Sequence, residues 1–384
     1  MSCRLVVITE IIAPYRIPVF NALARQPGID LHVIFLAETD PTQRHWLVHK
    51  EEIHFSFEVL PSWRRRIHGH NLLLTWGMDA ALRLASPDGI ICGGYNYIAS
   101  WEALRWARRN RVPFQLWVES TARDFRSGSI FLESLKRRFM EQCDGFVVAG
   151  KSQSEYLKSY GVPENAIFTA PNAVDTNFFM EAAEAARDNA DVNRQTFRLP
   201  NRYFLFVGRL VAEKGIFDLL DGYAMLAPEL RTELSLVFAG EGIARSELHK
   251  RAAAIQPGSI QLTGFLQREE LAIFYALAEA FVFPTHSDPW GLVVNEAMAC
   301  GLPVICSNAA GCAAELIADR QNGRSVRVGD VSELASALSE LARDPQARSR
   351  MGQASRTKIE SYSPDACAGG IATAARLCAR APHA

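Results

Sequence analysis

Short apolar runs alternate with longer segments of helical periodicity along the chain. Several runs are continuously apolar, which is typical of parallel strands that helices cover on both faces. We predict strands at Leu5–Ile8, Leu31–Leu36, His54–Val59, Gly89–Cys92, Phe114–Val118, Gly145–Ala149, Tyr203–Val207, Leu234–Ala239, Ile260–Thr263, Ala280–Pro284, Pro303–Cys306 and Ser325–Val328. One amphipathic helix is marked by apolar residues at helical spacing, namely Ile216, Leu219, Leu220, Tyr223 and Leu226. This alternation predicts an α/β fold with parallel sheets.

A change in composition divides the pattern into two halves. The stretch Glu181–Asp191 is polar and rich in alanine, and the next predicted strand begins only at Tyr203. We therefore predict two doubly wound, Rossmann-like domains, residues 1–178 and 190–361. Ligands of open α/β sheets bind outside the carboxyl ends of the strands. Two such domains would face each other across a cleft at those ends.

Composition narrows the function classes. The length of 384 residues fits two domains better than one or four. Lysine and arginine total 41 against 42 acidic residues, whereas a dedicated nucleic-acid binder normally has a basic excess. No run reaches the roughly 18–20 apolar residues of a membrane span. The eight cysteines are scattered without a CxxC motif, so we expect reduced thiols, no metal cluster and a cytoplasmic protein.

Positive charge is concentrated between Leu60 and Met140, where 13 lysines and arginines outnumber 6 acidic residues. Within this region, Trp63–Arg66 and Arg105–Arg111 interleave tryptophan with arginine. This composition suits an anionic membrane surface or a phosphorylated acceptor. Solvated helix faces explain the same charges, so both interpretations stay open at this point.

The segment Phe204–Gly215 places two cations after a predicted strand. Gly208 allows a tight turn, and Arg209 and Lys214 follow before the next helix. A planar guanidinium fork and a compact ammonium group can together bind a diphosphate. The segment contains no GxxxxGK[ST] phosphate loop, and no GxGxxG dinucleotide motif follows the first strand. Taken alone, such a pair of cations is more often ordinary surface charge than a binding site.

A second segment carries two carboxylates around a predicted helix. Asp288 lies in a loop after a strand, and Glu296 lies within a helix expected from Gly291 to Gly301. Free amides at the start of a helix can hold ligand oxygens. The carboxylates can accept hydrogen bonds from vicinal hydroxyls of a ribose and a sugar. For either acid alone, a favourable charge near a helix N-terminus is the commoner explanation.

Four motifs in order resemble the retaining glycosyltransferases of family 4, which have the GT-B fold. They are Pro171–Phe178, Gly208-Arg-Leu with Glu213-Lys-Gly215, Gly240-Glu-Gly242, and Asp288 with Glu296–Val304. The resemblance implies transfer of a sugar from a nucleotide diphosphate sugar with retained anomeric configuration. It also implies that a C-terminal helix, about 362–384, packs back on the first domain.

The resemblance assigns roles to individual residues. Arg209 and Lys214 would neutralise the leaving diphosphate, Glu296 would bind the ribose hydroxyls, and Asp288 would bind hydroxyls of the donor sugar. Further contacts to the nucleotide sugar are implied for Gly208, Phe265, Leu266, Gly291, Leu292, Val293, Gly311 and Cys312. Among these, Phe265 and Leu266 would touch the base, and the amides around Gly311 and Cys312 would touch phosphate. No metal or other cofactor is implied, because two protein cations replace it.

The chain departs from the family pattern at several positions. Aspartate stands at 288 where glutamate is usual, which leaves the donor sugar open. Thr9–Arg16 replaces a glycine-rich acceptor loop, and Trp117–Ser120 stands where a histidine is often found. We assign to the acceptor side four residues that follow predicted strands, namely Tyr15, Arg16, Glu119 and Ser120. A buried glutamate with satisfied hydrogen bonds is the alternative for Glu119.

We therefore expect a glycosyltransferase that uses a UDP-sugar and a carbohydrate or lipid-linked acceptor. The expected setting is bacterial surface polysaccharide or glycolipid biosynthesis, with peripheral attachment at the inner face of the membrane and no nucleic-acid partner. Alternatives are a GDP-sugar-dependent, mannosyl-type transferase and a phosphorylase or epimerase of the same fold. A periplasmic sugar-binding protein would need an export signal, and we do not find one in the sequence.

Overall fold

A computed structural model describes residues 2–40, 46–67, 70–121, 130–256 and 258–380. Its strands, numbered in chain order, are β1 Cys3–Thr9, β2 Ile29–Phe35, β3 Ser56–Val59, β4 Ser62–Ile67, β5 His70–Thr75, β6 Gly89–Cys92, β7 Phe114–Val118, β8 Gly145–Val148, β9 Ile167–Thr169, β10 Tyr203–Val207, β11 Ser235–Ala239, β12 Ile260–Gly264, β13 Ala280–Phe283, β14 Val304–Ser307 and β15 Gly323–Val326.

Helices follow most of the strands. They are α1 Ile17–Ala24, α2 Met78–Ala85, α3 Ile98–Asn110, α4 Ile130–Met140, α5 Lys151–Ser159, α6 Thr176–Asp188, α7 Ala190–Phe197, α8 Ile216–Ala224, α9 Pro228–Glu233, α10 Arg245–Ile255, α11 Arg268–Leu277, α12 Leu292–Ala299, α13 Ala313–Leu316, α14 Val331–Arg343, α15 Pro345–Ile359 and α16 Pro364–Arg380.

The chain divides into two compact units, Met1–Ala173 with Pro364–Ala384, and Val174–Ser363. Among the described residues, the first unit holds a parallel sheet in the order β3-β2-β1-β6-β7-β8-β9. The second unit holds a parallel sheet in the order β12-β11-β10-β13-β14-β15. Counted within the second unit this order is 3-2-1-4-5-6, that of the dinucleotide-binding Rossmann fold.

The predicted α/β architecture is confirmed for the predicted strands and for the predicted amphipathic helix. Each predicted strand coincides with an observed one to within two residues at either end. The strands β6, β7, β8, β10, β13 and β14 are buried throughout, as their continuous apolar runs predicted, whereas β3 and β12 at sheet edges are only partly buried. The apolar stripe of the predicted helix lies on α8 and just beyond it, and its members are buried.

Three of the observed strands were not predicted from the sequence. β4 and β5 form an antiparallel hairpin, and β9 has only three residues. The basic run Trp63–Arg66 therefore lies on a strand, not on a helix or loop. The arginines of this run interrupt the apolar pattern that is typical of a buried strand.

The polar, alanine-rich stretch after residue 178 is helical. α6 and α7 cover most of 176–197, and α6 packs against α11 and α12 within the second unit. Alanines on one side of α6, Ala183 and Ala186, are buried, while Glu184 and Ala185 between them are exposed. The alanine-rich composition thus marked a helix face, and the second unit begins at Val174.

The C-terminal helix α16 belongs to the first unit. It packs on α1 and on strands β1, β6, β8 and β9. Its buried face includes Cys367, Ala368, Ile371, Ala372 and Ala375. Within the described part of the chain, no helix is both long and apolar enough to cross a membrane.

Candidate active site

The topology of the second sheet identifies where a ligand would bind. Strand order reverses between β10 and β13, so the loops that leave these two strands diverge at their carboxyl ends. Open α/β sheets bind ligands at this switch point. The loop after β10 is 208–215 and the loop after β13 is 284–291. The sequence analysis selected Arg209, Lys214 and Asp288 from these two loops.

Lys214 and Asp288 form an ion pair between the two loops. The Lys214 Nζ atom lies 2.8 Å from Asp288 Oδ2 and 2.8 Å from the Ser287 carbonyl oxygen. The other carboxylate oxygen of Asp288 accepts a hydrogen bond from the Trp290 N–H at 3.0 Å. Lys214 is 8% exposed. The structure therefore brings together two residues separated by 74 positions in sequence.

Two glycines hold the ends of the loop that carries Asp288. A Cβ atom on Gly215 would lie 2.0 Å from the Pro284 carbonyl oxygen, and the φ angle there is +68°. A Cβ atom on Gly311 would lie 1.9 Å from the Pro289 carbonyl oxygen. Both distances are far below van der Waals contact, so only glycine permits these approaches. The loop is thus clamped at both ends by backbone contacts.

The backbone amides of Gly311 and Cys312 donate to the loop that carries Asp288. The Gly311 N–H donates to the Asp288 carbonyl oxygen at 2.9 Å, and the Cys312 N–H donates to the Trp290 carbonyl oxygen at 3.0 Å. Each backbone amide has a single proton to donate. Both amides therefore fasten the Asp288 loop in this structure, and the expected contact between amides of this region and phosphate stays a prediction.

Arg209 differs from Lys214 in its surroundings. Its side chain is exposed, and within the described residues no ion pair restrains it. It directly follows Gly208, whose N–H donates to the Ala239 carbonyl oxygen at 3.0 Å and so fixes the start of the loop. A guanidinium fork in this position is free to meet a ligand anion.

The helix after the Asp288 loop offers further donors. α12 begins at Leu292, directly after Gly291, and both Leu292 and Val293 are half-buried. Amides in the first turn of a helix have no acceptor within the helix. The positive end of the helix dipole adds to their attraction for anions and sugar oxygens. All three residues therefore lie at the switch point, and their contact with the sugar stays a prediction.

Glu296 is held by a partner that the sequence did not reveal. The Tyr275 hydroxyl lies 2.9 Å from Glu296 Oε2. Burial raises the pKa of Glu296 to about 7, and the hydrogen bond from Tyr275 opposes this rise only in part. Tyr275 lies on α11, and no local motif connects it with Glu296. A carboxylate in this environment is half ionised near neutral pH and accepts hydrogen bonds strongly when ionised.

Phe265 and Leu266 lie in the loop between β12 and α11. Phe265 is 41% exposed and Leu266 is half-buried. The Gly240 N–H donates to the Gly264 carbonyl oxygen at 2.7 Å, which joins this loop to the one after β11. The predicted base-binding backbone is therefore an accessible loop of the second unit.

A second pair near the Asp288 loop was also missed. His286 Nε2 lies 2.6 Å from Asp218 Oδ2, and the His286 N–H donates to the Glu213 carbonyl oxygen at 2.8 Å. Asp218 points from α8, which the sequence showed only as an amphipathic helix. The pair is a second tie between the loop after β13 and the region after β10.

The predicted acceptor-side residues cluster within the first unit. Arg16 follows β1 and forms an ion pair with Glu119, which follows β7. The Arg16 guanidinium lies 4.1 Å from the ring centroid of Trp117 and 5.5 Å from that of Tyr15. Glu119 has 53% of its side chain exposed, so the alternative of a buried glutamate is wrong. Ser120 follows Glu119 and is half-buried.

Comparison with known proteins gives two family matches along the chain. The model described as "Glycosyltransferase Family 4" matches residues 19–178. The model described as "Glycosyl transferases group 1" matches residues 188–358. Together they span both units.

Curated relatives carry out glycosyl transfer according to their names. A glycogen synthase of Mycobacterium tuberculosis is 36% identical over 295 residues, covering 74% of this chain and 66% of the relative. Sulfoquinovosyl transferase SQD2 of Arabidopsis thaliana is 34% identical over 161 residues, covering 41% of this chain and 30% of the relative. O-antigen chain mannosyltransferase B of Escherichia coli is 30% identical over 166 residues, covering 42% of each chain. The chain thus spans less than two thirds of each of these relatives.

Solved structures resemble the whole chain in fold. The crystal structure of Anabaena Alr3699/HepE in complex with UDP and glucose has a TM-score of 0.75 at 16% identity, covering 98% of this chain and 100% of the other. Sucrose-phosphate synthase from Thermosynechococcus elongatus has a TM-score of 0.71 at 19% identity, covering 98% of this chain and 99% of the other. At these identities the likeness concerns the fold.

Proposed function

This chain belongs to the GT4-type glycosyltransferases with the GT-B fold, and we propose that it transfers a sugar from a UDP-sugar to a glycan or glycolipid acceptor with retention of anomeric configuration. The observation that carries the proposal is the pairing of Lys214 with Asp288 at the switch point of the second sheet. Bacterial surface polysaccharide or glycolipid biosynthesis is the proposed setting, and the likeness to an O-antigen mannosyltransferase supports it.

The cations Arg209 and Lys214 would bind the donor diphosphate. An ammonium group has three N–H donors, and in Lys214 two of them are directed at Ser287 and Asp288. The third remains for a phosphate oxygen, while Arg209 would add a bidentate contact. Negative charge grows on the diphosphate as the sugar leaves, so fixed cations stabilise the transition state. For this reason we propose that the reaction needs no metal ion or other cofactor.

The carboxylates would bind the polar groups on either side of the diphosphate. Glu296, positioned by Tyr275, would accept hydrogen bonds from the ribose hydroxyls. Asp288 would accept from hydroxyls of the donor sugar while it keeps Lys214 in place. Backbone groups of Gly291, Leu292 and Val293 at the start of α12 would contact the sugar.

The acceptor would be recognised by the first unit. Arg16 and Glu119 form an ion pair at the carboxyl ends of their strands, where ligands of such sheets bind. An acceptor hydroxyl can donate to Glu119 and accept from Arg16. Tyr15 and Ser120 extend the same surface along the chain.

In the proposed reaction, the bond between the anomeric carbon and the diphosphate oxygen breaks. The acceptor oxygen bonds to the same face of that carbon, and its proton passes to the leaving phosphate oxygen. The electron pair of the broken bond stays on the diphosphate, beside Arg209 and Lys214. No side-chain nucleophile takes part.

A panel of nucleotide sugars tests this function. The purified full chain is mixed with each UDP- or GDP-sugar and a set of saccharide and lipid-linked acceptors, and nucleotide release is measured. Acceptor-dependent release of UDP, with a product of unchanged anomeric configuration, is the expected result. Release of GDP would show that the donor is a GDP-sugar, as expected for a mannosyl-type transferase. Formation of a sugar phosphate from inorganic phosphate would show that the protein is a phosphorylase. Formation of an epimer without any acceptor would show that it is an epimerase.

A further inference from the structure

The hairpin β4–β5 has two chemically different faces. Successive residues of a strand project to opposite sides, and directly opposed residues of an antiparallel pair share a side. Trp63 lies opposite Leu74, and Arg65 lies opposite Leu72. Trp76 continues the alternation of β5, and its N–H donates to the Pro61 carbonyl oxygen at 3.0 Å. One side, which we call the docking face, therefore carries Trp63, Arg65, Leu72, Leu74 and Trp76.

The opposite side fastens the hairpin to the first unit. Leu73 is 5% exposed and belongs to the apolar core beneath the sheet. Arg64, which lies opposite Leu73, has one guanidinium nitrogen 2.7 Å from Asp40 Oδ2 and another 3.0 Å from Glu10 Oε1. These contacts fix the orientation of the hairpin. The docking face is consequently turned away from the core.

The docking face is apolar although it is exposed. The exposed fractions are 43% for Trp63, 40% for Leu72 and 54% for Trp76. Arg65 is exposed and Leu74 is half-buried. A sheet with one solvated face normally presents polar residues to water and apolar ones to the core. Here large apolar side chains are on the solvated face, so an occupant of matching chemistry is expected.

We propose that the docking face attaches this protein to an anionic lipid surface. Tryptophan prefers the interface between water and lipid, where an amphipathic ring contacts both. Arg65 adds positive charge that complements anionic headgroups. A stable protein–protein interface uses about 20–30 residues a side, many more than these five. The inference rests on the proposed function only in that it would bring the enzyme to lipid-linked acceptors.

The structure separates this surface from the other basic segment. Arg108 lies 3.1 Å from Asp144 and so takes part in an ion pair of the first unit. The segment Arg105–Arg111 is a helix end with charged side chains, for which solvation is a sufficient explanation. Within the part of the chain that the structure describes, only the hairpin combines exposed tryptophans with an arginine on one side of a strand pair.

Flotation of the full chain with vesicles tests the proposal without any sugar transfer. Vesicles of phosphatidylcholine alone are compared with vesicles containing equal parts of phosphatidylglycerol. We expect binding to the anionic vesicles and at least a tenfold weaker binding by the double variant Trp63→Ala, Trp76→Ala. The matched control is Val192→Ala, Met225→Ala, since these apolar residues of the second unit are 64% and 59% exposed. The control should bind as the unmodified protein does.

A second variant, which changes only a charge, tests the proposal even if the tryptophan variant folds poorly. Arg65→Glu should weaken binding to anionic vesicles several-fold and leave the melting temperature unchanged, because its side chain is exposed. Absence of vesicle binding by the unmodified protein would overturn the proposal, as would equal losses in the control. Conversion of a dimer to a monomer by the tryptophan variant, seen by size exclusion, would assign the face to a protein partner instead. UDP affinity measured on the same samples distinguishes failure here from failure of the donor site.

Discussion

The ammonium group of Lys214 lies 2.8 Å from Oδ2 of Asp288, and this one contact joins the loop after β10 to the loop after β13. Each partner is largely screened from water, with side-chain exposures of 11% and 21%. Removal of one partner from a buried pair leaves an uncompensated charge, which costs more than the pair itself contributes. The contact therefore links the stability of the second unit to the proposed chemistry of the donor site.

A double-mutant cycle on this pair should be strongly non-additive. Lys214→Ala and Asp288→Asn should each lower stability, by about 3 kcal/mol or more for the lysine. The double variant should recover part of that loss, with a coupling of about 1–3 kcal/mol. Chemical denaturation of the four proteins measures this coupling. Additive losses would mean that the two side chains act independently in solution.

Glu296→Gln should weaken nucleotide binding and remove its pH dependence. In the unmodified protein, the pKa of Glu296 is raised to about 7, so lowering the pH through that value protonates the proposed acceptor of the ribose hydroxyls. Affinity for a UDP-sugar, whose diphosphate does not titrate in this range, should then fall between pH 8 and pH 6. Titration calorimetry with the UDP-sugar at several pH values should give a flat, weaker affinity for the variant. A variant that follows the pH profile of the unmodified protein would remove Glu296 from the nucleotide site.

The same substitution should stabilise the protein at alkaline pH. Because burial raises the pKa of Glu296 from its usual 4.5 to about 7, the folded state binds more protons than the unfolded state between these values. This contribution lowers stability as pH rises through that range, by at most about 3 kcal/mol. The melting temperature of Glu296→Gln relative to the unmodified protein should therefore be higher at pH 8 than at pH 5.

Much of the fold could be predicted because burial dictates composition. Fully covered parallel strands such as Tyr203–Val207 must be continuously apolar, and that pattern is readable directly. The hairpin β4–β5 could not be predicted in this way, since one face contacts water or another surface and the other carries the ion-paired Arg64. The polar stretch after residue 178 did not indicate a helix, because the buried alanines of α6 give only a weak apolar pattern.

Site residues in loops that follow strands could be predicted from the sequence. Contacts that depend on how helices pack against each other could not. Arg209, Lys214 and Asp288 could be predicted as site residues because each lies in a loop that follows an apolar run. The link from Tyr275 to Glu296 depends on how α11 packs beside α12, which no local pattern encodes. The hydrogen bonds by which the Gly311 and Cys312 amides fasten the Asp288 loop likewise depend on tertiary packing, so the sequence did not reveal them.

Gly311→Ala should disturb the donor site by displacing the loop that carries Asp288. Its Cβ atom would lie 1.9 Å from the Pro289 carbonyl oxygen, so the Asp288 loop must move. We expect at least a tenfold loss of affinity for a UDP-sugar together with a lower melting temperature. Gly369→Ala is the control, since a Cβ atom there meets nothing within 4 Å. Equal behaviour of the two variants would show that the loop tolerates displacement.

Glu119→Gln should impair transfer while it spares the donor. The side chain is 53% exposed, so the substitution should leave the fold intact and remove only the charge that pairs with Arg16. Single-turnover transfer to the acceptor should slow at least tenfold. Calorimetric affinity for UDP and for the UDP-sugar should stay within twofold. Loss of donor affinity as severe as the loss of transfer would place Glu119 outside the acceptor side.

Arg209→Ala should lower turnover on the order of a hundredfold or more, the typical effect of removing one transition-state donor. The exposed side chain makes no ion pair with other described residues, so the melting temperature should not change. Arg350→Ala is a suitable control because that arginine is likewise exposed and lies on α15 of the same unit. Steady-state rates of nucleotide release from the preferred donor measure the effect. Turnover near the unmodified rate would exclude Arg209 from the reaction.

The binding of UDP, UMP and uridine to the unmodified protein and to Arg209→Ala tests the donor site most directly. The measurement requires no acceptor, and GDP, GMP and guanosine extend it to the alternative base. If Arg209 and Lys214 hold the diphosphate, affinity should fall at least tenfold from UDP to UMP in the unmodified protein. In Arg209→Ala this difference should shrink severalfold while uridine binding stays constant. Equal affinities for the diphosphate, the monophosphate and the nucleoside, or an undiminished difference in the variant, would contradict the proposed diphosphate site.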